Sequence, residues 1–115
     1  MQVRKTYRGV QPELLYGEVN DFILKQGAGK GESSIETYSL PSDSSSFVSR
    51  GTLTFKCMGK GNAEGECIRA HIVGQAKGET KLMLDIDVGL FPKDRVQALE
   101  ADLDFIFGSY EVKPD

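Results

Sequence analysis

The alternation of apolar and polar residues predicts a short strand followed by a helix at the start of the chain. Val3, Lys5 and Tyr7 share one face of a strand over 2–8, which ends at Gly9. Pro12 suits a first helical turn, and Gly27 suits a C-cap, so we expect an amphipathic helix over 12–26. Its apolar stripe, at helical spacing, consists of Leu15, Val19, Phe22 and Ile23.

The middle of the chain has no helical period, and it predicts four strands joined by loops. The strands are expected at 35–39, 47–57, 67–75 and 80–88. The connecting segments are expected to be a flexible glycine-rich loop at 27–33 and the loops Leu40–Ser46, Met58–Glu66 and Ala76–Gly78.

Matching the apolar faces of these strands predicts their register, because a slip of one residue exchanges the two faces. The predicted pairs, strand by strand, are Ser39–Phe47, Glu36–Arg50, Phe55–Ala70, Leu53–Ile72, Ile72–Leu82, Ala70–Leu84 and Ile68–Ile86. On the opposite, polar face the same register gives the rows Lys56–Arg69–Asp85 and Thr54–His71–Met83. These rows indicate an antiparallel sheet that is solvated on one face.

A long amphipathic helix is predicted over 92–110, starting at Pro92. Its apolar stripe comprises Val96, Leu99, Leu103, Ile106 and Tyr110. The order strand, helix, four strands, helix predicts an α+β fold, with a curved antiparallel sheet packed on the C-terminal helix. We expect one domain over 1–112 and a short tail over 113–115.

Composition excludes several classes of function. The 115 residues carry 14 basic and 17 acidic side chains, and this net charge of −3 disfavours nucleic-acid binding. No apolar run approaches the roughly 20 residues of a membrane span, so no membrane partner is expected. With two cysteines and no apolar signal segment, we expect a cytoplasmic protein with reduced thiols.

The two cysteines are the first candidates for chemistry. The predicted register places Cys57 on the buried face and Cys67 on the outer face, and opposite faces prevent a disulfide. Cys67 and His71 lie four residues apart along a strand, roughly 13 Å, which is too far for both to bind one metal ion. We therefore expect no metal or redox site.

No catalytic constellation emerges from the remaining residues. The segment Gly27–Ser33 follows a helix and precedes a strand, which is the wrong context for a phosphate-binding loop. His71 is the single histidine and lies on the outer face. Asp85 and Asp87 share that face, where Asp85 is predicted to lie opposite Arg69, so a solvated charge pair is favoured over an acid catalyst.

Three stretches of the chain resemble the START-type helix-grip family, which includes the birch pollen allergen class and small polyketide cyclases. They are the opening strand with Val10–Leu24, the segment Arg50–Phe55, and Leu82–Ile86 followed by Val96–Tyr110. Typical members have a second short helix and six later strands, whereas this chain has four. A cystatin-like fold is the competing architecture, against which the strong C-terminal helix argues.

The resemblance implies a small protein that binds an apolar small molecule between the sheet and the C-terminal helix, without a cofactor. The expected lining residues are Phe47, Gly51, Phe55, Leu84, Leu103 and Ile106. The alternative is that these side chains fill a solid core. In that case the protein is a non-enzymatic interaction module that uses an exposed sheet edge or the apolar surface at Phe107, and a homodimer is one form that the interaction would take.

Overall fold

The computed structural model describes residues 1–59, 61, 63–75 and 78–113, with the backbone alone for 43–45. It is an α+β fold with a five-stranded, open antiparallel sheet and two helices. The elements are β1 (Gln2–Arg8), α1 (Pro12–Lys25), β2 (Gly29–Leu40), β3 (Asp43–Met58), β4 (Glu64–Gly74), β5 (Glu79–Ile86) and α2 (Lys93–Phe107), with a 3₁₀ turn at Gly108–Tyr110. The strand order is β1-β5-β4-β3-β2, so β1 and β2 form the two edges.

Both predicted helices are confirmed, with differences at their ends. Helix α1 begins at Pro12, and Gly27 follows it with a φ of 95°, donating its N–H to the carbonyl oxygen of Leu24. Helix α2 buries Val96, Leu99, Leu103 and Phe107.

The prediction that Ile106 and Tyr110 face the core is wrong, because both side chains are about half exposed. Phe107, eleven residues after Val96, completes the helical stripe instead, and the α-helix gives way to a 3₁₀ turn before Tyr110 is reached.

The predicted hairpin between β4 and β5 is confirmed in register. Ile68, Ala70 and Ile72 lie opposite Ile86, Leu84 and Leu82. Between β2 and β3 the predicted pairs Glu36–Arg50 and Ser39–Phe47 are also present. The expected three-residue loop at 76–78 falls largely on residues outside those the structure describes.

The predicted register between β3 and β4 is wrong by two residues. Leu53 pairs with Ala70 and Phe55 with Ile68, and a bulge follows, so that Lys56 pairs with Glu66. The bulge leaves Cys67 as an extra residue in β4. Matching the apolar faces could not detect the two-residue error in register, because a shift of two residues keeps every side chain on the same face.

The bulge also overturns the prediction of free thiols. Cys67 and Ile68 are both buried, so Cys67 lies on the inner face together with Cys57. The two cysteines form a disulfide, with their Cα atoms 5.7 Å apart. The expectation that opposite faces would keep them apart failed because one inserted residue reverses the alternation.

The hairpin of β2 and β3 is longer than predicted. Strand β2 starts at Gly29, inside the expected flexible loop 27–33, and β3 starts at Asp43, inside the expected loop 40–46. The N–H of Glu32 donates to Oγ1 of Thr54 at 2.7 Å, which attaches this glycine-rich segment to β3. The molecule is consequently elongated, with a longest dimension of 52 Å.

The two faces of the sheet differ. One face packs against α1 and α2 and contributes the buried strand residues, including Val3, Leu53 and Leu84. The other bears polar and charged residues such as Arg4, Arg69 and Asp85, and no helix of the described chain packs on it. None of the helices described is long and apolar enough to cross a bilayer.

Candidate functional site

The six residues predicted to line a ligand pocket do not lie together. Phe55, Leu84 and Leu103 are fully buried in one core cluster between the sheet and the helices. Phe47 is 56% exposed and Ile106 is 45% exposed. Only three of the six therefore lie where the sheet meets α2, and there they contribute to a packed core.

Gly51 lies on the buried face as expected, but the space above it is occupied. A Cβ atom at position 51 would lie 2.6 Å from the ring of Tyr16 on α1. Gly51 therefore permits a close approach of Tyr16 to the sheet. The glycine has a packing function at this position, since an aromatic ring fills the volume that a ligand would need.

The most exposed part of the sheet is its β2 edge. Strand β2 spans 12 residues, and all but Gly31 and Leu40 are exposed. Among the described residues it pairs with β3 alone. One side of β2 thus presents unpaired backbone N–H and C=O groups, which is a template for pairing with another strand.

The β1 edge, by contrast, is partly covered by the end of the chain. Tyr7 forms an isolated antiparallel bridge with Glu111, and the N–H of Val112 donates to the carbonyl oxygen of Thr6 at 2.7 Å. Lys5 adds ion pairs to Asp104 and Glu111. The same chain therefore protects one sheet edge and leaves the other free.

The regular part of β2 carries few features that would repel another strand. Between the irregularities that follow Lys30 and Ser39, Glu36 is the single charged residue. Tyr38 donates a hydrogen bond to its carboxylate, and this bond raises the pKa of the Tyr38 phenol. Proline is absent from this stretch, so every residue whose backbone faces the free side of β2 has an N–H to donate.

Side-chain contacts hold this edge in place from below. Thr37 and Ser49 share a hydrogen bond of 3.0 Å between their hydroxyl groups, and Ser49 donates to Oε1 of Glu13 on α1 at 2.5 Å. Ser49, at the centre of this chain of hydrogen bonds, is buried, whereas Thr37 and Glu13 are exposed. The chain of hydrogen bonds fixes the middle of β2 relative to the helix layer.

The other residues considered for chemistry have structural partners. Asp85 lies opposite Arg69 as predicted and accepts a hydrogen bond from Gln2. Asp87 lies beyond the end of β5, contrary to the predicted strand, and accepts the N–H of Gly89 in a turn. In the part of the chain that the structure describes, no three His, Cys, Asp or Glu side chains converge to hold a metal ion.

Sequence reasoning anticipated an exposed sheet edge in general terms but did not identify β2. A signal was present, because residues 33–39 are mostly Ser and Thr and lack the alternation of a half-buried strand. In a segment of this kind the sequence does not determine the register, which is set here by pairing with β3.

Comparison of the chain with protein-family models, with curated proteins and with solved structures finds no match.

Proposed function

We propose that this protein is an interaction module that self-associates by pairing the β2 edge with the same edge of a second copy. The observation that carries the proposal is the contrast between the two sheet edges: ten of the 12 residues of β2 are exposed, whereas the C-terminal segment covers part of β1. A long unprotected edge is uncommon in monomeric proteins, because it invites strand addition.

A second copy is the simplest partner for such an edge. Two identical strands related by a two-fold axis pair antiparallel, and the unpaired N–H and C=O groups of each strand bind those of the other. The two sheets would then form one continuous ten-stranded sheet, with the helices of both copies on the same side. Because the β2–β3 hairpin is long, β2 offers a long edge for this contact.

Charge selects the register of the proposed contact. Residues that lie directly opposite must share a face, so the two-fold axis passes through a residue of the regular run 33–39. The longest overlaps of this run place the axis at Ile35, Glu36 or Thr37. An axis at Glu36 sets two carboxylates opposite each other, which is unfavourable. An axis at Thr37 sets Glu36 opposite Tyr38 of the second copy, an acceptor opposite a donor, and we therefore favour it.

The packing between the sheet and α2 favours this interaction function over storage of an apolar ligand. Phe55, Leu84 and Leu103 have no exposed surface, and Tyr16 lies over Gly51. Protein interiors are normally filled to the density of organic crystals. A core without a cavity cannot hold a ligand, so we place the function on the surface of the protein.

We also infer that the fold is a reduced helix-grip fold. Support comes from the order of elements, a strand and helix followed by a four-stranded meander and a C-terminal helix that packs on the sheet. The inference concerns architecture, and the interaction function does not depend on it.

The test is sedimentation velocity of the full chain from about 10 μM to 1 mM, a range that covers weak association. We expect dimer to increase with concentration. Tyr38→Glu places carboxylates opposite Glu36 in both halves of the contact and should abolish the dimer, whereas Tyr38→Lys places an ammonium there and should retain it. Tyr38 is half exposed, so neither variant disturbs the core.

Phe105→Glu is the matched control. Phe105 on α2 is 87% exposed, and it is therefore exposed apolar surface outside β2. This variant should associate like the parent protein. A monomer throughout the concentration range, or a dimer that Phe105→Glu abolishes while Tyr38→Glu does not, would contradict the proposal.

A further inference from the structure

The outer face of the sheet has an uneven distribution of charge. Three basic side chains of this face are neutralised by carboxylates within 4 Å. These ion pairs are Arg8–Glu79 at 3.1 Å, Arg69–Glu66 at 3.0 Å and Lys56–Glu64 at 3.7 Å.

Three other basic residues of this face have no such partner. Within the described part of the chain, Arg4, Arg50 and Lys81 form no ion pair with a carboxylate, and Arg4 donates only to the amide oxygen of Gln2. The register brings them close, since Lys81 and Arg50 flank Val73 from either side. Positive charge on this face is therefore available to a ligand.

A groove of about 440 Å³ lies beside Arg4 and Lys81. Val73 and Met83 provide its apolar surface, and the basic groups Arg4 and Lys81 border it together with His71. Its complete lining is Arg4, Lys5, Thr6, His71, Val73, Lys81, Leu82 and Met83. This volume falls in the range of small-molecule sites.

We propose that this groove binds a small organic carboxylate, in which one anionic group is attached to a compact apolar body. The cations recognise the carboxylate by charge-assisted hydrogen bonds, and Val73 and Met83 contact the apolar part. A bare inorganic anion leaves the apolar surface uncovered, and a neutral apolar molecule leaves the cations unpaired. The groove combines both types of contact, so it favours a ligand that has both.

The proposal is independent of self-association. None of the groove residues belongs to β2, and none lies in the regular run of that strand proposed to pair. The Tyr38→Glu variant, which should be monomeric, is therefore a suitable protein for the binding test. Loss of one function in a variant leaves the other measurable.

The experiment is titration of ¹⁵N-labelled protein with 2-naphthoate, followed by amide chemical shifts. The largest shifts should map to Arg4, Thr6, His71, Val73, Lys81 and Met83. The uncharged analogue 2-naphthalenemethanol and the apolar-free anion acetate should each bind at least about threefold more weakly, because each lacks one of the two contacts.

Substitutions test both halves of the site. Lys81→Gln and Arg4→Gln should each weaken naphthoate binding about threefold to tenfold, and Met83→Glu should abolish it. Lys56→Gln is the matched control, since it removes a basic residue of the same face that is already paired with Glu64, and it should leave binding unchanged.

Three outcomes would overturn the proposal. The first is the absence of shifts at these residues, and the second is equal binding of the alcohol and the carboxylate. The third is a poly-glutamate peptide that binds the groove more tightly than naphthoate, which would assign the face to an acidic protein segment instead.

Discussion

Tyr7 and Phe107 pack ring against ring, with their centroids 5.7 Å apart, and so join the first strand to the last turn of α2. Both side chains are buried. The hydroxyl of Tyr7 has no hydrogen-bond partner among the described residues. The ring therefore contributes packing. Its hydroxyl is buried, and no hydrogen bond within the described part of the protein replaces the hydrogen bond to water that it makes in the unfolded chain.

We predict that Tyr7→Phe stabilises the protein by about 1 kcal/mol, because it removes an unsatisfied buried hydroxyl and keeps the ring. Tyr7→Ala should lower stability by about 3–5 kcal/mol, since it removes the ring from the core. Urea denaturation of the three proteins measures both effects. A Tyr7→Phe variant less stable than the parent by 1 kcal/mol or more would show that the hydroxyl has a partner.

The same residue should govern alkaline stability. Burial raises the pKa of the Tyr7 phenol well above its ordinary value, and the nearby carboxylates of Glu111, Asp104 and Glu100 raise it further. The unfolded chain releases this proton near pH 10, whereas the folded protein retains it. Because the folded state then binds more protons, its stability is unaffected below that pH and falls as the pH rises above it.

Tyr7→Phe removes this contribution and therefore isolates it. The stability advantage of the variant should be constant from pH 7 to about pH 9 and should widen above pH 10. Denaturation midpoints measured across this range provide the test. A constant difference at every pH would mean that Tyr7 titrates normally in the folded protein.

The Cys57–Cys67 disulfide should add measurable stability. It closes a loop between residues ten positions apart, for which the chain-entropy model gives about 2.7 kcal/mol. Reduction or Cys67→Ala should lower the urea midpoint accordingly. Alkylation before and after reduction, read by mass spectrometry, should label no cysteine in the first case and two in the second; two reactive thiols in unreduced protein would contradict the pairing.

Gly51 and Tyr16 should be energetically coupled. Gly51→Leu places a side chain where the ring of Tyr16 lies, and overpacking of this kind lowers stability by about 1–3 kcal/mol. Combining it with Tyr16→Ala should recover part of the loss, which a double-mutant cycle quantifies. Purely additive effects would indicate that the two residues do not compete for the same space.

The sequence was sufficient to predict the elements that bury one face and expose the other. Helix α1 and the hairpin of β4 and β5 follow from periodicity, because a fixed face must be kept out of water. Glu36 and Arg50 were also placed opposite each other correctly. Strong alternation determines both the face and the register in these segments.

Three features escaped sequence reasoning for identifiable reasons. The bulge at Cys67 inserts one residue without changing composition, so alternation alone predicted the wrong face. The β2 edge takes its conformation from β3 rather than from its own Ser- and Thr-rich sequence. Phe47 and Ile106, two of the residues expected to line a pocket between the sheet and the C-terminal helix, are about half exposed, and local periodicity could not show how far the helices cover the sheet at these positions.

The central claim is that two copies pair through β2, and the most direct measurement is an isotope-filtered nuclear Overhauser experiment on mixed labelled and unlabelled protein. At a concentration where dimer is present, we predict intermolecular contacts between Glu36 and Tyr38 and between the Thr37 residues of the two copies. Contacts between copies through α2 or through the outer sheet face, with none along 33–39, would contradict it.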